Sequence, residues 1–183
     1  MNGIQTWVAL PDEAEEIEPS FHHYDVEALP TFTENGVLTR VIAGELLGVA
    51  SGVRTHSPLF YVHWQLSAGA VVSLPAQYAE RAAYVVSGEV EVDGQVFGEG
   101  RMLVFAPGQT VLFRASAPAV VMALGGEPVG ERFIEWNFVS SSRERIEQAK
   151  DDWRQGRMKL PDLDHAEFIP LPPDPLPPAN PMS

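Results

Sequence analysis

Hydrophobic residues recur along this chain in short runs, and within most runs apolar and polar positions alternate. An alternation of period two is typical of β-strands that bury one face, because successive side chains point to opposite sides of a sheet. Many short strands at close intervals favour an all-β domain built as an antiparallel sandwich or barrel. The predicted strands cover residues 4–10, 37–42, 59–66, 82–86, 89–92, 102–105, 111–113 and 120–124.

Turn-forming residues separate the predicted strands, and one pair indicates a specific connection. Asp93 and Gly94 lie between Val92 and Gln95. Both residue types tolerate positive φ, which a two-residue type I′ turn requires at each of its central positions. We therefore predict a β-hairpin at this point.

A single helix is predicted near the carboxy terminus. The sequence Ser-Ser-Arg-Glu at residues 141–144 reads as a capping box, in which a hydroxyl and a carboxylate bind free amides of the first turn. Ile146, Ala149 and Trp153 then recur at helical spacing, and Gly156 is a typical stop. From residue 170 onward half of the residues are proline, which predicts an extended tail.

The composition of the chain excludes or disfavours several classes of function. The formal net charge of −13 disfavours nucleic-acid binding, since no basic stripe offsets it. The chain has no cysteine, which excludes disulfides and thiolate metal sites. No apolar run approaches the roughly 18 residues of a membrane span. The absence of a secretory signal pattern at the start favours the cytoplasm.

The spacing of four glycines resembles the two motifs of the cupin family. The first cupin motif runs Gly, five residues, His-x-His, three residues, Glu, six residues, Gly; the second runs Gly, five residues, Pro-x-Gly, two residues, His. In cupins the glycines make turns and the strands between them point three histidines and a glutamate into the barrel. The glycine positions are filled here by Gly69, Gly88, Gly100 and Gly108.

The four metal-ligand positions of these motifs hold Pro75, Gln77, Arg81 and Val111. Proline and valine offer no donor atom, glutamine is a weak neutral ligand, and arginine is a permanent cation. We therefore expect no metal and no other cofactor in this barrel, and no catalytic residue can be assigned.

Longer stretches are similar to the pirin family, whose members join two cupin domains. The resemblance identifies the chain as the carboxy-terminal cupin, an RmlC-like jelly-roll β-barrel. It implies an interdomain-type strand and acidic linker at 1–30, the barrel at 31–139, the helix at 140–158 and the extended tail at 159–183. The iron-binding amino-terminal cupin would lie upstream and is absent from this sequence. The similar stretches are residues 3–11, 40–45, 84–90, 125–128, 136–141, 144–150 and 167–172.

Three functions are compatible with this resemblance. The first is a metal-free cupin with a structural or interaction role, which would associate with itself or dock to a partner cupin domain through apolar surface. The second is a fragment of an iron-dependent pirin dioxygenase that resembles quercetin 2,3-dioxygenase. The third is a small-ligand-binding cupin.

Three side chains are the candidates for such a ligand pocket: His63, Gln77 and Arg81. For Arg81 the favoured alternative is an ion pair with a surface carboxylate, since acidic residues are abundant. For His63 it is a hydrogen-bonded histidine of the barrel. The adjacent His22 and His23 are interpreted as an exposed loop pair.

Overall fold

The structure is a computed structural model that describes residues 3–160 and 167–172, together with the backbone of residues 180–182. The chain forms two compact units. We call Glu18–Pro128 the barrel unit, and Met1–Ile17 together with Val129–Ser183 the helical unit. No helix in the described part of the chain combines the length and the hydropathy that a membrane span needs.

The barrel unit consists of two antiparallel sheets. The larger sheet has the strand order β1-β2-β4-β11-β6-β9, with β3 paired to β2, and the smaller has the order β5-β10-β7-β8. This is the all-β jelly-roll that the sequence predicted. The strands are β1 Thr31–Glu34, β2 Val37–Leu46, β3 Val49–Ala50, β4 Leu59–Leu66, β5 Val71–Leu74, β6 Glu80–Ser87, β7 Glu89–Val92, β8 Gln95–Gly98, β9 Met102–Phe105, β10 Val111–Arg114 and β11 Ala119–Gly126.

The core of the barrel unit lies between the inner faces of the two sheets. On β4 every second residue is buried, ending with Trp64 and Leu66. The Trp64 ring contacts Phe113 of the opposite sheet at 5.7 Å between centroids, and Phe105 meets Phe113 edge to face at 5.7 Å. Alternation thus fixes which side chains enter the barrel.

The predicted hairpin is confirmed. Strands β7 and β8 pair antiparallel with Val92 opposite Gln95, so the turn contains only two residues. Their φ angles are 51° at Asp93 and 77° at Gly94, both in the left-handed region that a type I′ turn requires.

The helical unit contains one three-stranded sheet and one α-helix. Strands β12 Arg132–Glu135, β13 Phe138–Ser140 and β14 Asn180–Met182 form the sheet in the order β13-β12-β14, and α1 spans Arg143–Arg154. At the end of α1, the Arg157 amide donates to the Asp152 carbonyl and the Gly156 amide to the Trp153 carbonyl. With Gly156 at φ 64°, this is a Schellman motif, which confirms the predicted helix stop.

The start of α1 differs from the prediction by one residue. The N-cap is Ser142, whose hydroxyl accepts from the Arg145 amide at 3.2 Å. Ser141 instead donates to the Glu15 carboxylate through its amide at 2.8 Å and its hydroxyl at 3.0 Å. Either of the two adjacent serines could cap the helix. Ser141 is bonded to Glu15, which lies far away in the sequence, so Ser142 is the N-cap.

Several predicted elements need correction. Residues 4–10 are not a strand: none of the described residues pairs with their backbone in a ladder, and Ile4, Trp7 and Val8 are exposed. The predicted barrel boundary at residue 139 falls inside the helical unit, because β12 pairs with β13 and β14. Of the predicted tail, residues 167–172 have no regular secondary structure and Asn180–Met182 form β14; residues 161–166 and 173–179 lie outside the description. The other seven predicted strands are confirmed, several with longer ends.

Candidate functional site

All four motif glycines occupy turns with positive φ. The angles are 81° at Gly69, 73° at Gly88, 80° at Gly100 and 81° at Gly108. This backbone conformation is unfavourable for residues with a Cβ atom, so glycine is favoured at each position. The scaffold of the two motifs is therefore retained.

The four ligand positions converge on one end of the barrel, although Gln77 does not enter it. Pro75 follows β5, and Val111 opens β10 directly opposite Leu74. Arg81 lies on β6 among inward-facing residues and is 2% exposed, whereas Gln77 is an exposed loop residue. In the described part of the chain, no three His, Cys, Asp or Glu residues are grouped so that they could hold a metal ion.

The Arg81 guanidinium occupies this end of the barrel. Its Nη1 donates to the Pro75 carbonyl at 3.0 Å and to the Gln109 carbonyl at 2.6 Å, and its Nη2 donates to the Ala106 carbonyl at 2.7 Å. These acceptors belong to the loops that contain the two degenerate motifs. One side chain therefore links both motifs, in the manner in which a metal ion joins ligands from separate strands.

The expected ion pair between Arg81 and a surface carboxylate is wrong. Among the described residues, the salt bridges of this protein involve other basic side chains. The side chain points into the barrel because it alternates with Ala83 and Val85, both fully buried. There the partial negative charges of carbonyl oxygens replace a carboxylate, while Nε is buried without a hydrogen-bond partner among the described residues.

Tyr78 lies in the loop between β5 and β6. The sequence analysis did not identify it as a candidate residue. Its ring stacks on Phe60 with centroids 5.4 Å apart, and its hydroxyl donates to the Glu45 carbonyl at 3.0 Å. Burial, followed by the nearby charge of Glu45, raises the pKa of the Tyr78 hydroxyl. The phenol therefore remains a neutral donor that anchors the loop, and a lone aromatic residue in a loop gives no sequence signal for this role.

His63 lies on the outer face of the larger sheet. It alternates with the fully buried Val62 and Trp64, so it points away from the core, next to Arg40 of β2 and Met122 of β11. Burial, and secondarily the positive charge of Arg40, lowers the pKa of the His63 imidazole. Its Nδ1 is buried with no hydrogen-bond partner in the described part of the chain, so the expected hydrogen-bonded barrel histidine is also wrong.

The candidate pocket of His63, Gln77 and Arg81 is consequently not formed. Arg81 is inside the barrel, Gln77 is exposed at its rim, and His63 is on the opposite face of the sheet. A separate open pocket of about 230 Å³ contains none of the three. It is lined by Phe32, Glu34, Asn35, Val37, Thr39, Leu47, Val71, Val72 and Ser73.

Comparison with known proteins places this barrel in a family. Residues 61–159, more than half of the chain, match the profile of the Pirin C-terminal cupin domain. This chain belongs to the pirin family. The match covers β4 to α1 and includes every degenerate ligand position.

Individual pirin relatives align along nearly the whole chain. A pirin-like protein of Caulobacter vibrioides is 62% identical over 173 residues, which are 94% of this chain and 60% of that protein. A Pseudomonas aeruginosa protein with the provisional name quercetin 2,3-dioxygenase is 33% identical over 96% of this chain and 56% of its own length. A crystal structure of quercetin 2,3-dioxygenase from Acinetobacter baumannii superposes with a TM-score of 0.78 at 27% identity, covering 94% of this chain and 59% of that one. The chain thus spans 56 to 60% of the length of these pirin relatives.

Proposed function

We propose that the barrel of this pirin-family chain is a metal-free cupin with a structural and interaction role and no catalysis of its own. The proposal depends on one observation: Arg81, which stands at one of the four metal-ligand positions, has its guanidinium bound by the carbonyls of Pro75, Ala106 and Gln109. Iron or another divalent ion would need imidazole and carboxylate ligands there, and the residues present do not fit it.

Electrostatics supports this proposal. A guanidinium keeps its charge at all accessible pH values, so the end of the barrel already holds a fixed cation. A divalent ion entering beside it would meet like-charge repulsion in a region with little water to screen it. Arg81 also uses its Nη donors to tie the two motif loops together, which is a stabilising task that needs no metal.

Metal analysis of the full chain tests the proposal. After incubation with Fe(II), Ni(II) or Zn(II) and desalting, we expect far less than one metal ion per chain, measured by mass spectrometry. A His22→Ala/His23→Ala variant controls for binding by the exposed histidine pair. Stoichiometric metal that survives desalting in this variant as well would contradict the proposal.

A second candidate is quercetin 2,3-dioxygenase activity, which the two relatives with that name favour. Such activity requires a redox metal at a site of this chain or of an associated domain, so it would appear as quercetin loss coupled to oxygen uptake. Under the first proposal the chain incubated with Fe(II) gives no turnover above that of the metal in buffer. Turnover that copurifies with the chain would favour the second candidate.

The interaction role is supported by an exposed apolar strand. Strand β9 is an edge of the larger sheet, since β6 is its partner on one side. Leu103 belongs to the core, whereas Met102 and Val104 face outward and Val104 is 79% exposed. Apolar edge strands favour pairing with another chain. We therefore propose that this face self-associates or docks to a partner cupin domain.

A charged substitution tests this face. We expect Val104→Asp to weaken self-association, measured by sedimentation over a concentration series, because burying an unpaired carboxylate in an interface is costly. Val96→Asp is the matched control, since Val96 is an exposed valine on β8, an edge strand of the smaller sheet. Equal effects of the two substitutions, or a wild-type chain that stays monomeric and captures no cupin domain, would contradict docking through β9.

A further inference from the structure

The open pocket of about 230 Å³ lies in the barrel unit, where an edge strand of each sheet borders it. Strand β1 is the last strand of the larger sheet and β5 is the last strand of the smaller one, and no described strand joins them. We call this pocket, whose lining residues are given above, the edge pocket. None of the four degenerate ligand positions is among its described lining residues, so it is separate from the motif loops.

The floor of the edge pocket contains a polar side chain without a partner. Thr39 is 4% exposed, and none of the described residues forms a hydrogen bond with its hydroxyl. It is the cross-strand partner of Phe32, so both side chains point to the same face of the sheet, next to the buried Val37 and Val72. A buried hydroxyl without a partner costs free energy, which a bound donor or acceptor would recover.

Strand β5 presents unpaired backbone groups beside the same pocket. The Ala115 amide donates to the Ala70 carbonyl at 3.0 Å. Bonded pairs alternate along an antiparallel ladder, so the next bonded pair with β10 is at Val72. The amide and carbonyl groups of Val71 and Ser73 therefore point away from β10, and both residues line the pocket. An apolar floor with a few polar groups around it is typical of small-molecule sites.

Leu47 lies in the lining of the edge pocket at a position that does not favour leucine. It is the first residue of the two-residue turn between β2 and β3, with a φ of 54° that is unfavourable for a branched side chain. Leu47 is also 50% exposed. Strained residues persist where function needs them, and a ligand in the pocket would cover this apolar side chain.

The lining residues define the class of ligand. Phe32, Val37 and Val72 provide apolar contacts for a ring. Among the described lining residues Glu34 is the one charged group, and it shares a strand face with Phe32. Thr39 pairs with Phe32 and Glu34 pairs with Val37, so the hydroxyl and the carboxylate are two residues apart along the hairpin, about 7 Å. A ligand that meets both carries a hydroxyl at one end of a ring and a cation at the other.

We propose that the edge pocket binds a small phenol that carries an ammonium group, with the size and chemistry of tyramine. The phenol hydroxyl bonds to Thr39, the ring lies on the floor beside Leu47, and the ammonium group pairs with Glu34. A cavity of about 150 Å³ holds a benzene ring, so the volume of about 230 Å³ has room for a ring with a short side chain. This inference concerns binding alone, and it can fail while the metal-free role of the barrel stands.

Titration of the full, isotope-labelled chain with tyramine tests the site by nuclear magnetic resonance. We expect saturable shifts of the amide signals of residues 32–39, 47 and 71–73, and none in the motif loops. Phenethylamine lacks the hydroxyl and should bind about fivefold more weakly. The acid 3-(4-hydroxyphenyl)propionate has a carboxylate in place of the ammonium group and should bind about tenfold more weakly, because it loses attraction to Glu34 and gains repulsion.

Two variants test the polar contacts. Thr39→Val removes the hydroxyl and keeps the shape, so it should weaken tyramine binding about fivefold and leave phenethylamine binding unchanged. Thr33→Val is its control, since Thr33 is exposed on the other face of β1. Glu34→Gln should weaken tyramine binding about threefold and reduce the discrimination against the acid. Glu89→Gln removes an exposed carboxylate of β7 and should do neither.

A third variant separates binding from folding. Asparagine tolerates positive φ better than leucine, so Leu47→Asn should leave the stability in urea unchanged or higher. It removes apolar surface that the ligand covers, and we expect about threefold weaker tyramine binding.

Two results would overturn the proposal. One is a wild-type chain whose signals near the edge pocket do not shift, or shift equally with tyramine and with phenethylamine at every concentration. The other is equal tyramine affinity of the Thr39→Val and Thr33→Val chains. The comparison of the two amines needs no variant, so it decides the question even if Thr39→Val does not fold.

Discussion

Replacing Arg81 with methionine should lower the free energy of unfolding by about 2–4 kcal/mol. Methionine fills much of the same space and removes the cost of burying a charge, which by itself would stabilise the protein. The opposing loss of hydrogen bonds is larger. The carbonyl groups of Pro75, Ala106 and Gln109 lose their donor, and as backbone groups they remain in the variant. Ala106 and Gln109 lie in exposed loops, so water recovers part of the loss and sets the upper limit. Urea denaturation measures the difference.

Two further substitutions separate the contribution of the hydrogen bonds between Arg81 and the motif loops from that of its positive charge. Arg81→Lys keeps the cation but replaces the planar fork of donors with one ammonium group, so it should recover only part of the lost stability. Arg114→Met removes an exposed arginine from β10 and should change the free energy of unfolding by less than about 0.5 kcal/mol. If Arg81→Met were as stable as Arg114→Met, Arg81 would not be linking the motif loops.

The sequence alone predicted the class of the fold because alternation is a local property. Seven strands and the hairpin at Asp93 and Gly94 follow from patterns of two to eight residues. The segment 4–10 alternates as well, yet a strand also needs a neighbour, and no local pattern shows whether one is present. The cap at Ser142 was displaced for the same reason, since Glu15, far away in sequence, binds Ser141.

The residue types at the candidate site could be read from the sequence, but the contacts of Arg81 could not. Proline, glutamine, arginine and valine are poor ligands wherever they lie, so the prediction of a metal-free barrel depends on residue types alone and stays a prediction. The partners of Arg81 are backbone carbonyls, which every residue possesses, and only the folded loops select three of them. The position of His63 was predictable: it lies between Val62 and Trp64, and alternation puts it on the other face from both.

For residues 167–172, too, the sequence predicted the backbone conformation but not the contacts. The prolines of this segment predicted an extended backbone, and residues 167–172 have no regular secondary structure. The contact of this segment with Trp153 could not be predicted, because the tryptophan recurs with Ile146 and Ala149 at helical spacing and was interpreted as a core residue. Ile146 and Ala149 are buried, whereas Trp153 is only half-buried at the end of the helix and offers its ring and its N–H to the tail.

The four motif glycines look equivalent in sequence, but the structure predicts that they respond differently to alanine. Gly88→Ala should lower the free energy of unfolding by about 3–5 kcal/mol. A Cβ atom at Gly88 would overlap the Pro118 carbonyl oxygen and lie 3.0 Å from Ala119 Cα, both of them backbone atoms next to or within β11. Nothing flexible can move aside, so the turn between β6 and β7 or the start of β11 must shift. The positive φ adds its own penalty.

Gly100→Ala is the matched control, because it imposes the same backbone conformation without the overlap. Its φ is 80°, and a Cβ atom there would meet no heavy atom within 4 Å. Only the left-handed conformation is then penalised, which costs about 1–2 kcal/mol. Urea denaturation of both variants should therefore show a loss at Gly88 that is at least twice the loss at Gly100. Equal losses would mean that close packing against β11 does not determine the need for glycine at position 88, and that conformation alone explains the motif.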